Sequence, residues 1–74
     1  PTEFRILKLF MENIGTVFSS AQIYERIWDE DAYATDNIVS VHIRRIREKI
    51  EIDPKNPDYI KVMWGVGYRM MKRD

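Results

Sequence analysis

The chain has 74 residues, no cysteine and a formal net charge of zero, and 45% of its residues are hydrophobic. This length allows one small domain near the lower size limit for a self-supporting core, and the composition argues against disorder. Without cysteine the chain has no disulfides, thiolate metal sites or cysteine nucleophile, which fits a cytoplasmic location. No signal peptide is expected, and no apolar run in the sequence is long enough to span a membrane.

The charges are unevenly distributed although they sum to zero. Acidic residues concentrate at 29–31 and at Asp36. Basic residues concentrate in two groups: Arg44, Arg45, Arg47 and Lys49, and Arg69, Lys72 and Arg73. The molecule is therefore expected to be dipolar, with a basic side and an acidic loop. Since phosphate binding depends on the local field, overall neutrality does not exclude a nucleic-acid partner.

The first helix is predicted over about residues 1–14, with Pro1 as a favourable first helical residue and Gly15 as its stop. Glu3 is at the position that forms a capping box with a Ser or Thr just before Pro1. That residue is not in this sequence, so the sequence is expected to come from a longer chain. A helix that is apolar on two flanks indicates a packing partner outside this sequence. The two flanks are Phe4, Leu7, Met11 and Ile14, and Ile6, Leu9 and Phe10.

A short strand, a second helix and an acidic loop are predicted next. Residues 16–18 are β-prone, and Ser19 with Gln22 forms a capping-box variant that begins a helix over about residues 20–28. Its predicted core residues are Ile23, Tyr24, Ile27 and Trp28. Residues 29–35 form a polar loop in which Thr35 is expected to cap a third helix, with Asp36 favourable in its first turn.

The third helix, over about residues 36–51, has two opposite faces. At 100° per residue, Val39, Ile43, Ile46 and Ile50 form a stripe that can be buried. The opposite side carries Val41, Arg44, Arg45 and Glu48. One face can pack in a core while the other presents guanidinium groups and a small apolar side chain, as a helix in a DNA major groove requires.

The end of the chain is predicted to be a β-hairpin over about residues 59–72. Pro54 and Pro57 end the preceding helix and force a turn. Alternating residues then flank a four-residue tip, Trp64-Gly-Val-Gly67. Helix, short strand, helix, loop, helix and hairpin make an α+β winged helix-turn-helix of one domain, residues 1–74, with the hairpin as the wing.

Alternative interpretations of these residues remain open. The basic helix is also compatible with a solvated surface, or with a protein-interaction winged helix whose outward face docks a protein. Glu48 opposes DNA binding unless it pairs with Arg44 or accepts from cytosine N4. His42, the single histidine, has no second ligand or base nearby in the sequence, so a phosphate or surface role is preferred. No enzyme activity, metal or cofactor is expected.

Residues 39–47, the Pro-containing link and residues 59–69 resemble the effector domain of OmpR/PhoB-family response regulators, in the same order over nearly the whole chain. The resemblance implies a four-stranded N-terminal sheet, absent from this sequence, which explains the two apolar flanks of the first helix. It also implies a receiver domain with a phospho-accepting Asp, a sensor kinase, and head-to-tail dimers on direct repeats in promoter DNA.

The resemblance also assigns roles to individual residues. Base reading falls on Val41 and Arg45. Backbone contact falls on Trp28, Asn37, Ile38, His42, Arg44, Arg47 and Tyr68. The loop that some members use to contact RNA polymerase corresponds to Asp29, Glu30, Asp31, Ala32, Tyr33, Ala34 and Thr35. Trp64 stands where some members place a minor-groove Arg, and the hairpin residues Lys61, Trp64 and Arg69 are expected to touch the backbone or minor groove.

Overall fold

A computed structural model describes residues 1–72, and Arg73 of the C-terminal basic group lies outside them. The predicted order of elements is confirmed. It runs α1 (Thr2–Glu12), β1 (Val17–Phe18), α2 (Ser20–Trp28), α3 (Asp36–Ile50), β2 (Ile60–Met63) and β3 (Gly67–Met70). The three helices and the small sheet form the predicted winged helix-turn-helix, in which α2 and α3 precede the β2–β3 hairpin.

The short strand β1 joins the hairpin in one antiparallel sheet of order β1-β3-β2. Phe18 pairs with Tyr68 on one side of β3, and Val62 pairs with Tyr68 on the other. A Cβ added at Gly67 would lie 2.0 Å from the Phe18 carbonyl oxygen, so β1 can approach this closely only because position 67 is glycine.

The hydrophobic core lies between the three helices and one face of this sheet. Phe10 of α1 meets Phe18 of β1 edge to face, with ring centroids 5.6 Å apart. The predicted stripe of α3 is confirmed, since Val39, Ile43 and Ile46 are buried. The remaining buried apolar residues are Ile6, Ile23, Ile27, Ile60 and Met70.

The first helix differs from the prediction at both ends. Pro1 is its N-cap rather than its first helical residue, and its carbonyl accepts from Arg5 N at 3.2 Å. The helix ends at Glu12, because Asn13 leaves the helical conformation and its Nδ2 donates to Leu9 O at 2.8 Å. Gly15, with φ of +89°, lies beyond that end, and its N–H donates to Met70 O.

Three other local predictions, two helix caps and the hairpin tip, had different outcomes. The capping box of α2 is confirmed: Gln22 N donates to Ser19 Oγ and Ser19 N donates to Gln22 Oε1. The side-chain cap by Thr35 is wrong, since Thr35 is buried and makes no such bond to α3. The hairpin tip has three residues, because Gly67 already pairs with Met63.

Candidate nucleic-acid interface

The outer face of α3 is exposed and carries both apolar and charged side chains. Val41 and Arg45, the predicted base readers, both lie on it, and so does Ile38. This face points away from the buried stripe, so these side chains are directed outward from the core. Glu48 shares it and forms no ion pair with Arg44 within residues 1–72. A carboxylate therefore remains unneutralised beside the arginines.

A cleft separates α3 from the wing on one side. Asn37 and Ser40 line it from α3, and the tip residues Gly65 and Val66 line it from the hairpin. The N-terminus of α2, at residues 19–21, closes its end. Farther along the helix, Arg44 borders a groove against Val62 and the prolines of the 51–58 loop. The predicted backbone-contact residues Asn37 and Arg44 are thus brought together along the wing side of α3.

On the other side of α3, His42 is turned toward α1. Its Nδ1 lies 2.7 Å from Glu3 Oε2, and Lys49 Nζ lies 3.7 Å from Glu3 Oε1. The hydrogen bond with His42 is the main cause that lowers the pKa of Glu3, and the charges of His42, Lys49 and Arg45 lower it further. His42 thus joins α3 to α1 through the Glu3 carboxylate, and the predicted phosphate or surface role of His42 stays a prediction.

Trp28 lies in the same inter-helix region. Its indole stacks on Tyr24 with centroids 4.8 Å apart and is 5.5 Å from the His42 ring. Tyr24 in turn donates its hydroxyl to Glu30 Oε2, and burial together with this bond raises the pKa of Tyr24. The half-buried Trp28 packs among these residues as predicted, and only its edge is available to a partner.

Arg47 and Tyr68 are engaged within the protein. Arg47 Nε and Nη2 both donate to Ile60 O, at 3.1 and 2.9 Å. The guanidinium also lies 5.8 Å from the centre of the Tyr68 ring. Arg47 therefore joins α3 to the hairpin, and the remaining N–H donors of its guanidinium stay available for the predicted phosphate contact.

Glu51 is a residue that sequence reasoning missed. It is the C-cap of α3 and only 7% exposed, and its carboxylate accepts from the backbone N–H groups of Asp58, Tyr59 and Ile60. The signal in the sequence is an acid at a helix C-terminus, where the helix dipole disfavours negative charge. Such an acid needs donors from elsewhere in the chain.

The hairpin presents its predicted contact residues in two directions. Trp64 at the tip is 88% exposed, next to Val66. Lys61 and Arg69 pair with each other on the sheet face opposite Val62 and Tyr68, because neighbouring strand residues alternate between faces. Within residues 1–72 the Nε of Arg69 is buried without a hydrogen-bond partner. Lys61 and Arg69 therefore lie on the body of the hairpin and Trp64 at its tip, and the contacts predicted for all three with the backbone or minor groove stay a prediction.

The acidic loop is held to α2 at its middle residue, Ala32, and is largely exposed at Tyr33. Ala32 N donates to Glu25 Oε2, while Asp29 and Ala34 adopt left-handed backbone conformations. Tyr33 is 90% exposed, whereas Thr35 is buried. Of the residues predicted to contact RNA polymerase, Thr35 is thus turned inward.

Two further properties concern metals and membranes. Residues 1–72 bring together no three His, Cys, Asp or Glu side chains that could hold a metal ion. Over the same residues, every helix is too short or too polar to cross a bilayer.

Residues 1–70 match the family described as "Transcriptional regulatory protein, C terminal". The chain belongs to this family. It is 45% identical over 73 residues to the regulatory protein VanR of Enterococcus faecium, covering 97% of this chain and 32% of VanR. It is 49% identical over 69 residues to the uncharacterized transcriptional regulatory protein YcbL of Bacillus subtilis strain 168, covering 93% of this chain and 30% of YcbL. The domain thus spans about a third of the length of these relatives.

Solved structures agree with the family. The response regulator DrrB of Thermotoga maritima, an OmpR/PhoB homolog, superposes with a TM-score of 0.84 at 39% identity, over 96% of this chain and 32% of DrrB. The Klebsiella pneumoniae RstA DNA-binding domain, solved with the RstA box, gives a TM-score of 0.85 at 21% identity, over 95% of this chain and 69% of that one, and supports the fold alone. The OmpR/PhoB resemblance is confirmed, and the domain is a DNA-binding output domain of transcription control rather than an enzyme.

Proposed function

We propose that this domain binds double-stranded promoter DNA sequence-specifically by placing α3 in the major groove. The exposed outer face of α3 carries the proposal, because it presents Val41 and Arg45 together and away from the core. In this arrangement Arg45 reads a guanine edge and Val41 contacts a thymine methyl group. A good bidentate arginine contact is worth about 1–3 kcal/mol of discrimination between bases.

The residues along the edges of α3 would then set the register on the duplex. Asn37 and Arg44 contact the DNA backbone from the wing side, Ile38 does so from the outer face, and Trp28 and His42 contact it from the α1 side with their ring N–H groups. The Trp64 tip reaches the adjacent backbone or minor groove. The occupied guanidinium of Arg47 and the half-buried ring of Tyr68 contribute less directly, through the hairpin that they contact.

The family supports a wider set of partners. We propose a cytoplasmic response regulator in which a receiver domain, phosphorylated by a sensor kinase, controls head-to-tail dimers on direct repeats. The exposed part of the acidic loop, with Tyr33 at its centre, is proposed as the surface for RNA polymerase. These proposals rest on relatives that are about three times as long as this chain.

The test is a titration of duplexes from a binding-site selection with the complete protein, at salt from about 50 to about 200 mM. We expect affinity that falls steeply with salt, and we expect Arg45→Ala to lower the affinity for the selected site about tenfold or more while changing random-duplex affinity much less. Arg5→Ala, an exposed arginine on α1, is the matched control and should change neither. Equal losses on selected and random duplexes for Arg45→Ala would contradict its reading role.

A second candidate is a protein-docking role for the same face, favoured by the exposed apolar side chains of Ile38 and Val41. It predicts no salt-dependent DNA binding by the complete protein. The titration above therefore decides between the two.

A further inference from the structure

One turn of α3 holds the first residue of β2 by both of its backbone polar groups. Arg47 donates two bonds to Ile60 O, at 3.1 and 2.9 Å, and Glu51 Oε2 accepts from Ile60 N at 3.0 Å. Arg47 and Glu51 are four residues apart, so their side chains leave the helix end on the same side. We call these two residues and their bonds to Ile60 the α3–β2 clamp.

The Glu51 half of the clamp is densely bonded. Its carboxylate also accepts from Asp58 N at 2.8 Å and from Tyr59 N at 3.1 and 3.0 Å. Three consecutive amides therefore converge on one carboxylate that is 7% exposed. Bonds from N–H groups to an ionised acceptor are among the stronger hydrogen bonds in proteins, and here they offset the unfavourable helix dipole.

The clamp fixes the wing to α3 independently of the loop between them. The chain leaves the helix at Glu51, and the backbone of residues 58–60 then bonds to that same side chain. The position of the hairpin relative to α3 therefore depends little on the loop over residues 52–57. Arg47 also lies over Tyr68, so both hairpin strands meet α3 here. From this anchor the hairpin extends to Gly65 and Val66, which face Asn37 and Ser40 across the cleft.

We propose that Arg47 and Glu51 are positioning residues for DNA binding: they hold the wing tip at a fixed place beside the reading face of α3, so that both contact one duplex as a single rigid unit. This rests on the proposed DNA-binding function. The clamp acts through the hairpin, and Glu51 itself, a buried anion, does not touch DNA. The wing tip carries the exposed side chains of Trp64 and Val66, and holding it in place before DNA binds would lower the conformational entropy that the contact costs.

The first test uses hydrogen exchange in the DNA-free complete protein, comparing Glu51→Gln with Glu12→Gln, an exposed carboxylate at the end of α1. The amide of Gln has one acceptor oxygen and an NH₂ group that opposes the three backbone donors. We expect faster exchange confined to residues 58–63 in Glu51→Gln and none in Glu12→Gln. A uniform increase through α1 and α2 as well would show a general loss of stability and would overturn the positioning role.

The second test is a double-mutant cycle on the selected duplex with Glu51→Gln, Trp64→Ala and both together. We expect Glu51→Gln to weaken binding about tenfold, and Trp64→Ala to weaken the wild type but to have no further effect in the Glu51→Gln protein. Arg47→Lys keeps the positive charge but loses the two-nitrogen geometry of the guanidinium group, so it should also weaken binding. Full additivity, or no effect of Trp64→Ala on the wild type, would overturn the proposal.

The two hypotheses fail separately. If the wild type shows no salt-dependent DNA binding, the proposed function is contradicted. The proposal that the wing is positioned for DNA binding is then contradicted as well. The exchange result then still decides whether the clamp holds the wing to α3. If the wild type binds and the cycle is additive, DNA binding stands and the positioning role is rejected.

Discussion

The two flanks of α3 are attached to the rest of the molecule by different chemistry. On the α1 flank, His42 and Lys49 meet the side chain of Glu3, and the His42 and Glu3 side chains keep 19% and 22% of their surface exposed. On the wing flank, Arg47 and Glu51 bind backbone groups of residues 58–60. Pairs between partly exposed side chains are screened by salt, whereas the backbone groups bound by Arg47 and Glu51 have a fixed position in the chain.

This difference suggests different roles for the flanks. The contacts of the α1 flank depend on side-chain positions alone, since His42 and Lys49 both meet the carboxylate of Glu3. The wing flank fixes a register, because Ile60 can occupy only one position when both its N–H and its C=O are bound. We therefore expect the wing flank to dominate both stability and geometry.

Of the substitutions that test this difference between the flanks, Arg47→Ala is expected to lower the free energy of unfolding most. It leaves the Ile60 carbonyl without its two donors, and charged hydrogen bonds of this kind are worth about 1.5–3 kcal/mol. We expect the free energy of unfolding, measured by urea denaturation, to fall by about 2 kcal/mol. Arg5→Ala is the control, since that side chain is exposed on α1. A loss no greater than that of the control would show that the wing flank contributes little.

A smaller effect is expected from Glu3→Gln, which weakens the contacts with His42 and Lys49 while retaining the shape of the side chain. Solvent screens this partly exposed pair, so the loss should be clearly less than for Arg47→Ala. The measurement is the same denaturation, at low and at high salt, with Glu12→Gln as the control. A loss that equals or exceeds that of Arg47→Ala would reverse the ranking of the two flanks.

The sequence predicted the parts of this arrangement that depend on local patterns. The capping box of α2 and the buried stripe of α3 follow from residue spacing alone, and both were confirmed. The hairpin followed from alternation around the two glycines, although its tip is one residue shorter than predicted.

The contacts of the two flanks could not be predicted in the same way. Glu51 bonds to amides seven to nine residues away, and Arg47 to a carbonyl thirteen residues away, so both depend on the path of the intervening loop. His42 meets Glu3 across 39 positions of sequence, which only the packing of α1 on α3 decides. The failed Thr35 cap has a similar cause, since the left-handed conformation of Ala34 belongs to the loop that turns Thr35 inward.

The smallest expected effect is a pH dependence of the Glu3 contacts on the α1 flank. Because the hydrogen bond with His42 lowers the pKa of Glu3 below its ordinary 4.5, the ionised carboxylate stabilises the folded state. This stabilisation is fully present above the unfolded pKa and is lost as the pH falls through the lower, folded pKa. We therefore expect the difference in unfolding free energy between wild type and Glu3→Gln to shrink from about pH 6 to about pH 3. Asp53, whose pKa is lowered chiefly by a hydrogen bond from Asn56, titrates equally in both proteins and cancels in the difference. A difference that stays constant over this range would mean that the Glu3 charge does not hold α1 to α3, and that shape alone joins this flank to the core.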